Sequence, residues 1–310
     1  ILIFYKINMI LKKNINDNKW SDFINNTYQK NIYSDYKYLK NLNKDFNNYL
    51  FYEKDLPLIG AILFNDNLEK VPIFYNSIFI SKKIKSPHKL NLICTEFINQ
   101  ILKYEKKIHL RLHYSVNDIR SFQWFNYNLN NSEKFLIKVF YTSILNIQKL
   151  NASNLINQFN SSRKNIINQA IKNEYFSEEV NDVNILNDLN QKSFKRKRSK
   201  NEILMASEIA NNALINNIGS LIVTYDKFKN PFAASLFLHD DETSYYSVGG
   251  SIPDDRKNGS VSLNIYDQIL NSIKLKKKNI DFVGVNSPNR GYFKTSFGGD
   301  TKLYFECKYK

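Results

Sequence analysis

The sequence from Ser251 to Ser260 reads Ser-Ile-Pro-Asp-Asp-Arg-Lys-Asn-Gly-Ser. An apolar-aromatic run at 245–248 comes before it and predicts a β-strand. The apolar residues at 261–273 recur at roughly helical spacing, so a helix is predicted to begin where the quoted sequence ends. The quoted sequence is therefore predicted to connect a strand to the N-terminus of a helix.

Two residues of this connection suit the binding of a diphosphate. The first amides of a helix lack internal partners, and the helix dipole places partial positive charge there. Gly259 would let the backbone approach a phosphate, and the guanidinium of Arg256 would bind its oxygens. No Gly-Lys-Ser/Thr follows and no GxGxxG is present, which excludes the P-loop and the dinucleotide-binding fingerprint. The alternative is a capped helix start without a ligand.

The pattern Arg256-x-x-Gly259-x-Val261 resembles the acyl-CoA loop of the GNAT acyltransferases, Arg/Gln-x-x-Gly-x-Gly/Ala, and departs from it at the last position. Farther along, a predicted strand at 280–285 is followed by the run 288–299 and by an aromatic strand at 303–307. This run has Pro, then Phe-Lys, then Phe-Gly-Gly. It resembles the C-terminal signature of the FemAB-like (BioF2-like) branch of the GNAT superfamily.

Two earlier segments resemble the same branch. One joins Asp-Ile-Arg-Ser-Phe-Gln-Trp-Phe-Asn-Tyr at 118–127 to Phe-Tyr-Thr-Ser-Ile-Leu at 140–145. The other, Ser-Arg-Lys-Asn-Ile-Ile at 162–167, is similar to a helix of that branch that carries two basic residues. With the C-terminal signature, these segments extend the resemblance over nearly the whole chain.

The resemblance implies an α/β fold of two tandem GNAT-like domains, each a mixed, largely antiparallel sheet flanked by helices. The predicted elements agree with this fold, because the order hairpin, strand, helix, strand occurs twice along the chain. The first hairpin joins strands at 58–64 and 71–80, and the second joins strands at 221–225 and 232–237. One long helix is predicted over 152–175. The expected domains are 1–150, on the acceptor side and without a donor loop, and 151–310, with the acyl-donor site.

The composition is that of a basic globular protein. The 310 residues are 43% hydrophobic with a formal net charge of +15, and no run reaches the ~18 apolar residues of a membrane span. Such a charge attracts polyanions, although the over-use of Asn, Ile, Lys and Tyr gives a purely compositional explanation. Cys94 and Cys307 are predicted to be buried thiols in a reducing, bacterial cytoplasm. No metal site is predicted, because His109 and His113 have no third ligand nearby.

The donor site is expected at the turn into the C-terminal helix. By the resemblance, Arg256, Gly259 and Ser260 would hold the diphosphate of acyl-CoA, for example acetyl-CoA. An amide of the preceding strand, near Val248 to Gly250, would polarise the thioester carbonyl.

Acyl transfer to an amine also needs two proton transfers. Asp255 would take a proton from the acceptor amine, directly or through water, and Tyr292 would protonate the departing thiolate or position the acceptor.

Four side chains are expected to contact the acceptor in a cleft between the halves: Arg120, Trp124, Arg163 and Lys294. Arg and Lys bind carboxylates and phosphates, and Trp stacks on a sugar ring. The alternatives are an Asp118–Arg120 ion pair beside a core Trp124, and a solvated helix face around Arg163. A basic segment at 195–200 is a further candidate for an anion contact.

The resulting hypothesis is an N-acyltransferase that moves an acyl group from acyl-CoA to an amine. The candidate acceptor is an amino sugar of a surface-glycan precursor. Two alternatives stay open: a FemAB-type transferase that uses aminoacyl-tRNA, and a non-catalytic binding protein on the same fold. No DNA partner is expected, and the sequence leaves the oligomeric state open.

Overall fold

The structure, a computed structural model, describes residues 9–194, 199–253 and 258–310. The chain forms two compact units. The N-terminal unit contains the described residues up to Phe140 together with Leu303–Lys310, and the C-terminal unit is Tyr141–Lys302. The predicted boundary at 150 therefore lies too far along the chain, and it missed the return of the last residues to the first unit.

The N-terminal unit contains a four-stranded sheet in the order β1-β2-β3-β4. A further strand, β5, pairs antiparallel with the end of β12, and this pairing holds the chain terminus in the unit. Helix α3 packs against this apolar core through buried residues that include Phe97 and Ile98. The elements are β1 (Met9–Lys13), α1 (Asp17–Asn25), α2 (Tyr36–Lys40), β2 (Phe46–Glu53), β3 (Leu56–Phe64), β4 (Ile78–Ile80), α3 (Pro87–Ile101), β5 (Ile108–Arg111), α4 (Arg120–Gln123), the beginning of β6 (Leu136–Asn146) and the end of β12 (Asp300–Tyr309).

The hairpin of the N-terminal unit has a different partner from the predicted one. β3 does pair antiparallel with β4, as predicted, but β4 covers only the end of the predicted strand 71–80. The tight hairpin instead joins β3 to β2, through a turn in which Lys54 has φ +56°. Pro72 lies in that predicted strand and has no N–H for a ladder. Strand β2 was missed because Asn47 and Asn48 suggest a loop. The buried Asn48 amide instead exchanges two hydrogen bonds with the backbone of Ile15, at 2.8 and 2.9 Å.

The C-terminal unit has its strands in the order β6-β11-β10-β9-β8-β7. β10 and β11 are parallel, and the other neighbours whose register is defined pair antiparallel, which confirms the predicted mixed, largely antiparallel sheet. The elements after β6 are α5 (Ser161–Lys172), β7 (Phe176–Glu179), α6 (Val183–Lys192), α7 (Lys200–Ile215), β8 (Gly219–Tyr225), β9 (Pro231–His239), β10 (Thr243–Ser251), α8 (Ser260–Lys274), β11 (Asn279–Asp281), α9 (Pro288–Thr295) and the beginning of β12.

The long helix predicted at 152–175 is shorter than expected. A 3-10 helix at Leu155–Gln158 precedes α5, which begins after Asn160. The Asn160 side chain accepts a hydrogen bond from the Arg163 amide at 2.9 Å, which is a standard N-cap and fixes the start of the helix.

Helix α8 is fixed on the sheet by buried amide side chains as well as by apolar packing. The Asn264 amide donates to the carbonyl of Ile222 at 2.9 Å, and the Gln268 amide donates to the carbonyl of Ser235 at 2.6 Å. A buried amide without partners would be costly, so these bonds select one rotation of the helix. They thereby set the position of its N-terminus relative to β8 and β9.

Both cysteines, Cys94 and Cys307, are buried free thiols, as predicted. Among the helices of the described residues, none is both long enough and apolar enough to cross a membrane.

Candidate active site

The sheet of the C-terminal unit opens between its two parallel strands. β10 pairs with β11 only through Thr243–Tyr245, although its pairing with β9 continues to Ser251. β11 ends at Asp281, and the chain then turns through Val283 and Gly284, which have φ +34° and +64°. We call the opening beyond Tyr245 the strand split. Backbone groups that would serve a ladder are therefore available there for another partner.

The register of β10 directs the backbone of Gly249 towards the strand split. Ile252 N donates to Phe232 O at 3.0 Å, and the pairing continues without a shift through Gly250↔Ala234 and Val248↔Leu236. Residues two apart in an antiparallel ladder point the same way, so Val248 and Gly250 bond β9 and Gly249 points away from it. The sequence predicted an oxyanion donor near Val248 to Gly250, and the register favours the middle residue.

Helix α6 covers the side of β10 that faces away from β9. Asn190 Nδ2 donates to Gly249 O at 2.6 Å, and Ser251 N donates to Ser193 Oγ at 2.6 Å. A Cβ at Gly250 would lie 2.3 Å from the backbone nitrogen of Asn190. Gly250 therefore permits close packing of α6, a structural role in place of the predicted cofactor contact.

Tyr246 lies directly over Gly249, in a position that the sequence did not predict. A Cβ at Gly249 would lie 2.2 Å from the Tyr246 hydroxyl oxygen, so only glycine leaves room for the ring. A β-bulge between Tyr246 and Val248 places the Tyr246 side chain on the same face of the sheet as the α-carbon hydrogen of Gly249 that a side chain would replace. The spacing Tyr-x-x-Gly-Gly was the signal for this arrangement.

Lys294 extends its amine into the same region from α9. The Nζ atom donates to the carbonyl oxygen of Val283 and, at 3.3 Å, to that of Gly284. It also lies 5.0 Å from the ring centroid of Tyr246. The residue as a whole keeps partial contact with solvent, while its amine is enclosed by protein. The structure thus brings Lys294, Tyr246 and Gly249 together.

Burial shifts the pKa values of Lys294 and Tyr246 in opposite directions. It lowers the pKa of Lys294 to about 8; Asp281 opposes this shift, and the positive charge of Arg290 adds to it. It raises the pKa of Tyr246 to about 12, against the opposing effect of Arg290. At neutral pH the site therefore holds a cationic amine and a neutral phenol, which are both hydrogen-bond donors.

Helix α8 begins at Gly259 with a backbone conformation that needs glycine. Its φ is +87°, and a Cβ would lie 2.4 Å from the carbonyl oxygen of Ile166. No side-chain cap bonds this helix start, although Asn258 Oδ1 accepts from the amide of the buried Ser260 at 2.9 Å. Arg256 and Asp255, which were predicted to bind the diphosphate and to take the proton, lie outside the described residues, as does the basic segment 195–198.

Arg163 is an interior residue rather than an exposed phosphate contact. It is 7% exposed, and its guanidinium donates to Ser296 Oγ at 2.9 Å and to the hydroxyl of Ser262. The guanidinium carbon also lies 4.4 and 5.0 Å from the ring centroids of Phe293 and Phe297. These contacts join α5, α8 and α9, so its role is structural.

Tyr292 and Lys294 lie on different faces of α9. Tyr292 is 68% exposed and borders a shallow cavity of about 270 Å³ that Gln158 and Asn160 also line. Residues two apart on a helix do not share a face. Arg290, four residues before Lys294, does share its face. The structure therefore does not bring Tyr292 to the strand split.

In the N-terminal unit, Arg120 and Trp124 form an exposed platform. The Arg120 guanidinium donates to both carboxylate oxygens of Asp118, at 2.9 and 2.6 Å, and lies 5.4 Å from the Trp124 ring centroid. The same bonds hold the pKa of Asp118 below its ordinary value. Trp124 is 53% exposed, so the alternative that buried it in the core is wrong.

The predicted convergence of Arg120 and Trp124 with Lys294 involves residues of two different units, and it stays a prediction. The described residues contain no cluster of three His, Cys, Asp or Glu side chains that could hold a metal ion.

The two-unit fold is similar to solved structures along nearly the whole chain. A crystal structure of FemX is 13% identical with a TM-score of 0.63, and the match covers 95% of this chain and 96% of that one. A tandem GNAT protein from the clavulanic acid biosynthesis pathway is 4% identical with a TM-score of 0.58 and coverage of 97% of both chains. L-PGS from Bacillus licheniformis is 8% identical with a TM-score of 0.53 and coverage of 94% and 91%.

No protein-family model and no curated protein matches the sequence. The structural likeness nevertheless confirms the predicted fold: this chain has the tandem GNAT-type, FemAB-like fold.

Proposed function

We propose that this protein is an N-acyltransferase that moves an acyl group from a thioester, preferably acyl-CoA, to an amine. The observation that carries the proposal is the meeting of Gly249, Tyr246 and Lys294 at the strand split. An amide, a phenol and an ammonium, all donors, are suited to a carbonyl oxygen that becomes negative during the reaction. The fold supports the proposal, because tandem GNAT structures share it.

In the proposed reaction, the acceptor nitrogen attacks the thioester carbonyl carbon and forms a tetrahedral oxyanion. The Gly249 amide and the Lys294 ammonium stabilise this oxyanion. The carbon–sulfur bond then breaks, the acyl group stays on nitrogen as an amide, and the thiolate leaves. Tyr246, in place of the predicted Tyr292, is positioned to give the thiolate a proton. Asp255 remains the proposed acceptor of the amine proton.

The donor diphosphate would lie at the start of α8. The backbone at Gly259 and the side chain of Arg256 are the proposed contacts, with Ser260 beside them. Arg290 adds a second cation near the strand split, since its charge affects both Tyr246 and Lys294. We propose that this cation faces the anionic part of the donor.

The acceptor would bind through the platform of Arg120 and Trp124. The exposed Trp124 ring suits a sugar, and the charged Arg120 beside it suits a carboxylate or phosphate of the same molecule. An amino sugar of a surface-glycan precursor fulfils both requirements.

Aminoacyl-tRNA is the second candidate donor. The net charge of +15 and the likeness to FemX favour it. It differs from acyl-CoA in one measurable respect: several phosphate contacts make binding fall by orders of magnitude between low and physiological salt.

The test is a donor screen by native mass spectrometry combined with thiol release. Acetyl-CoA and longer acyl-CoA thioesters are compared with charged and uncharged tRNA, each with a panel of amino sugars. The proposal expects a CoA complex and amine-dependent release of free CoA. A tight complex that persists at physiological salt and requires charged tRNA would replace acyl-CoA by tRNA. Binding of neither donor would favour the non-catalytic alternative.

A further inference from the structure

Lys294 is held by a strained turn that follows β11. Val283 has φ +34°, which is unfavourable for a β-branched side chain, and Gly284 follows with φ +64°. The carbonyl oxygens of both residues accept hydrogen bonds from Lys294 Nζ. Backbone strain of this kind persists only where neighbouring groups enforce it.

The group that enforces the turn is the carboxylate of Asp281. This residue is fully buried, and its Oδ1 atom accepts from Val283 N at 2.9 Å and from Thr142 Oγ1 at 2.5 Å. One carboxylate thus fixes the first amide of the turn and is itself fixed to β6. Its negative charge also acts on the Lys294 amine and favours the ammonium form.

We infer that Asp281 is a positioning residue that holds the Lys294 ammonium in the strand split, through the turn at Val283 and Gly284. The turn supplies two carbonyl acceptors, and the carboxylate supplies the compensating charge. Without them, a lysine on α9 would extend into solvent, as long charged side chains generally do.

Three charged or titratable groups act on this amine from the elements around it. Asp281 at the end of β11 favours the ammonium, Arg290 on α9 disfavours it, and the phenol of Tyr246 on β10 lies against it. Within the part of the chain that the structure describes, removing this negative charge leaves Arg290 and burial, and both lower the pKa of Lys294. The pKa of Lys294 must then fall.

The inference rests on the proposed function only for the catalytic use of the amine, so its main test needs no substrate. The protein is labelled with trace acetic anhydride at a series of pH values, and acetylation of each lysine is measured by mass spectrometry. Lys294 in the native protein should be labelled with a midpoint near its pKa of about 8. In Asp281→Asn, which keeps an oxygen acceptor, the midpoint should move down by about one unit, which is a tenfold change in proton affinity.

A second variant covers the case in which Asp281→Asn does not fold. Val283→Gly relieves the unfavourable φ, which offsets part of the loss of a buried side chain, so the variant should fold. It should loosen the turn, so that the labelling rate of fully deprotonated Lys294 rises several-fold while that of the half-buried Lys164 on α5 stays constant. Native-like labelling of Lys294 in Val283→Gly, or an unchanged midpoint in a folded Asp281→Asn, would overturn the inference.

A kinetic readout separates this inference from the proposed function. If the protein transfers acyl groups, Val283→Gly should lower kcat at least tenfold with little change in KM. If the labelling results are as expected but no donor is turned over, the positioning of Lys294 stands and the acyl-transfer reaction is wrong.

Discussion

The two units use the same order of elements, yet their strand-to-helix junctions differ. In the N-terminal unit, α3 begins at Pro87, and the Ser86 side chain caps it by accepting from the Lys89 amide at 3.3 Å. In the C-terminal unit, α8 begins after Gly259 in a left-handed conformation and has no side-chain cap bond. One helix start is capped by the side chain of its N-cap residue, whereas the other has a left-handed glycine at that position and a side-chain bond from the preceding Asn258.

The strands that precede these two helices, β4 and β10, also differ. β4 has three residues, and β10 has nine with a bulge and an open edge beyond Tyr245. A bulge and a parted edge weaken a sheet, and they are features typical of functional sites. The comparison therefore assigns the chemistry to the C-terminal unit and leaves the N-terminal unit to bind the acceptor, as we propose.

The largest expected effect comes from removing the cation of the strand split. Lys294→Met should lower kcat for acyl transfer by about 10²–10³-fold, the usual loss for one oxyanion donor. The control is Lys164→Met, which removes a lysine of α5 that belongs to no proposed contact. Steady-state thiol release measures both. Equal activities of the two variants would mean that the strand split is not the reaction centre.

The next effect concerns the two helix starts. Gly259→Ala should destabilise the protein by about 2–3 kcal/mol, because the left-handed φ is strained for alanine and the Ile166 carbonyl stands in the way. Ser86→Ala should cost only about 1 kcal/mol, the typical value of an N-cap. Urea unfolding gives both values. If the order were reversed, the contrast between the junctions would be wrong.

A third prediction is that the two units affect the stability of the protein in different pH ranges. The pKa of Lys294 is lowered to about 8 by burial, from its ordinary value of 10.5, so between these values the unfolded chain binds more protons than the folded one. The free energy of unfolding should therefore rise as the pH increases from about 8 towards 10.5, by about 3 kcal/mol. Activity should do the opposite and fall above pH 8, because the ammonium is lost.

His113 in the N-terminal unit gives the counterpart at low pH. Burial lowers its pKa to about 3 from the ordinary value of 6.5. The unfolded chain therefore takes up a proton first as the pH falls, and stability is lost from about pH 6.5 downwards. His113→Gln should flatten the acid side of the pH–stability curve and Lys294→Met the alkaline side. A single variant that changed both sides would contradict this assignment.

The sequence predicted the tandem fold because turn chemistry and apolar periodicity are local properties that survive without tertiary context. Gly259 is an example of such local chemistry, since a glycine at the end of a strand-to-helix connection can adopt the left-handed φ of +87° that the structure has there. The prediction of Arg163 as a phosphate contact was less successful. Whether an arginine near a helix start faces solvent or lies between Phe293 and Phe297 depends on α9, which is far along the chain.

The site at the strand split also depends on packing that the sequence alone does not reveal. The segment 248–250 was visible in the sequence, because a Gly-Gly pair follows an aromatic strand, and its role as an amide donor stays a proposal. Tyr246 was not found, since the bulge that brings it over Gly249 is a matter of register, which β9 sets. Asp281 was not found either, because its hydrogen bond with Thr142 on β6 and its electrostatic effect on Lys294 depend on how these elements pack.

The smallest expected effect tests the part assigned to the N-terminal unit. Trp124→Ala should raise KM for the acceptor about five- to tenfold, the value of one stacked aromatic ring, and leave kcat and donor binding unchanged. Because Trp124 is 53% exposed, the free energy of unfolding should change by no more than about 0.5 kcal/mol. Tyr127→Ala is a matched control, since this residue is 69% exposed and belongs to the same surface segment. If only the donor's KM responded to Trp124→Ala, the platform would bind the donor, and the division of labour between the two units would have to be reversed.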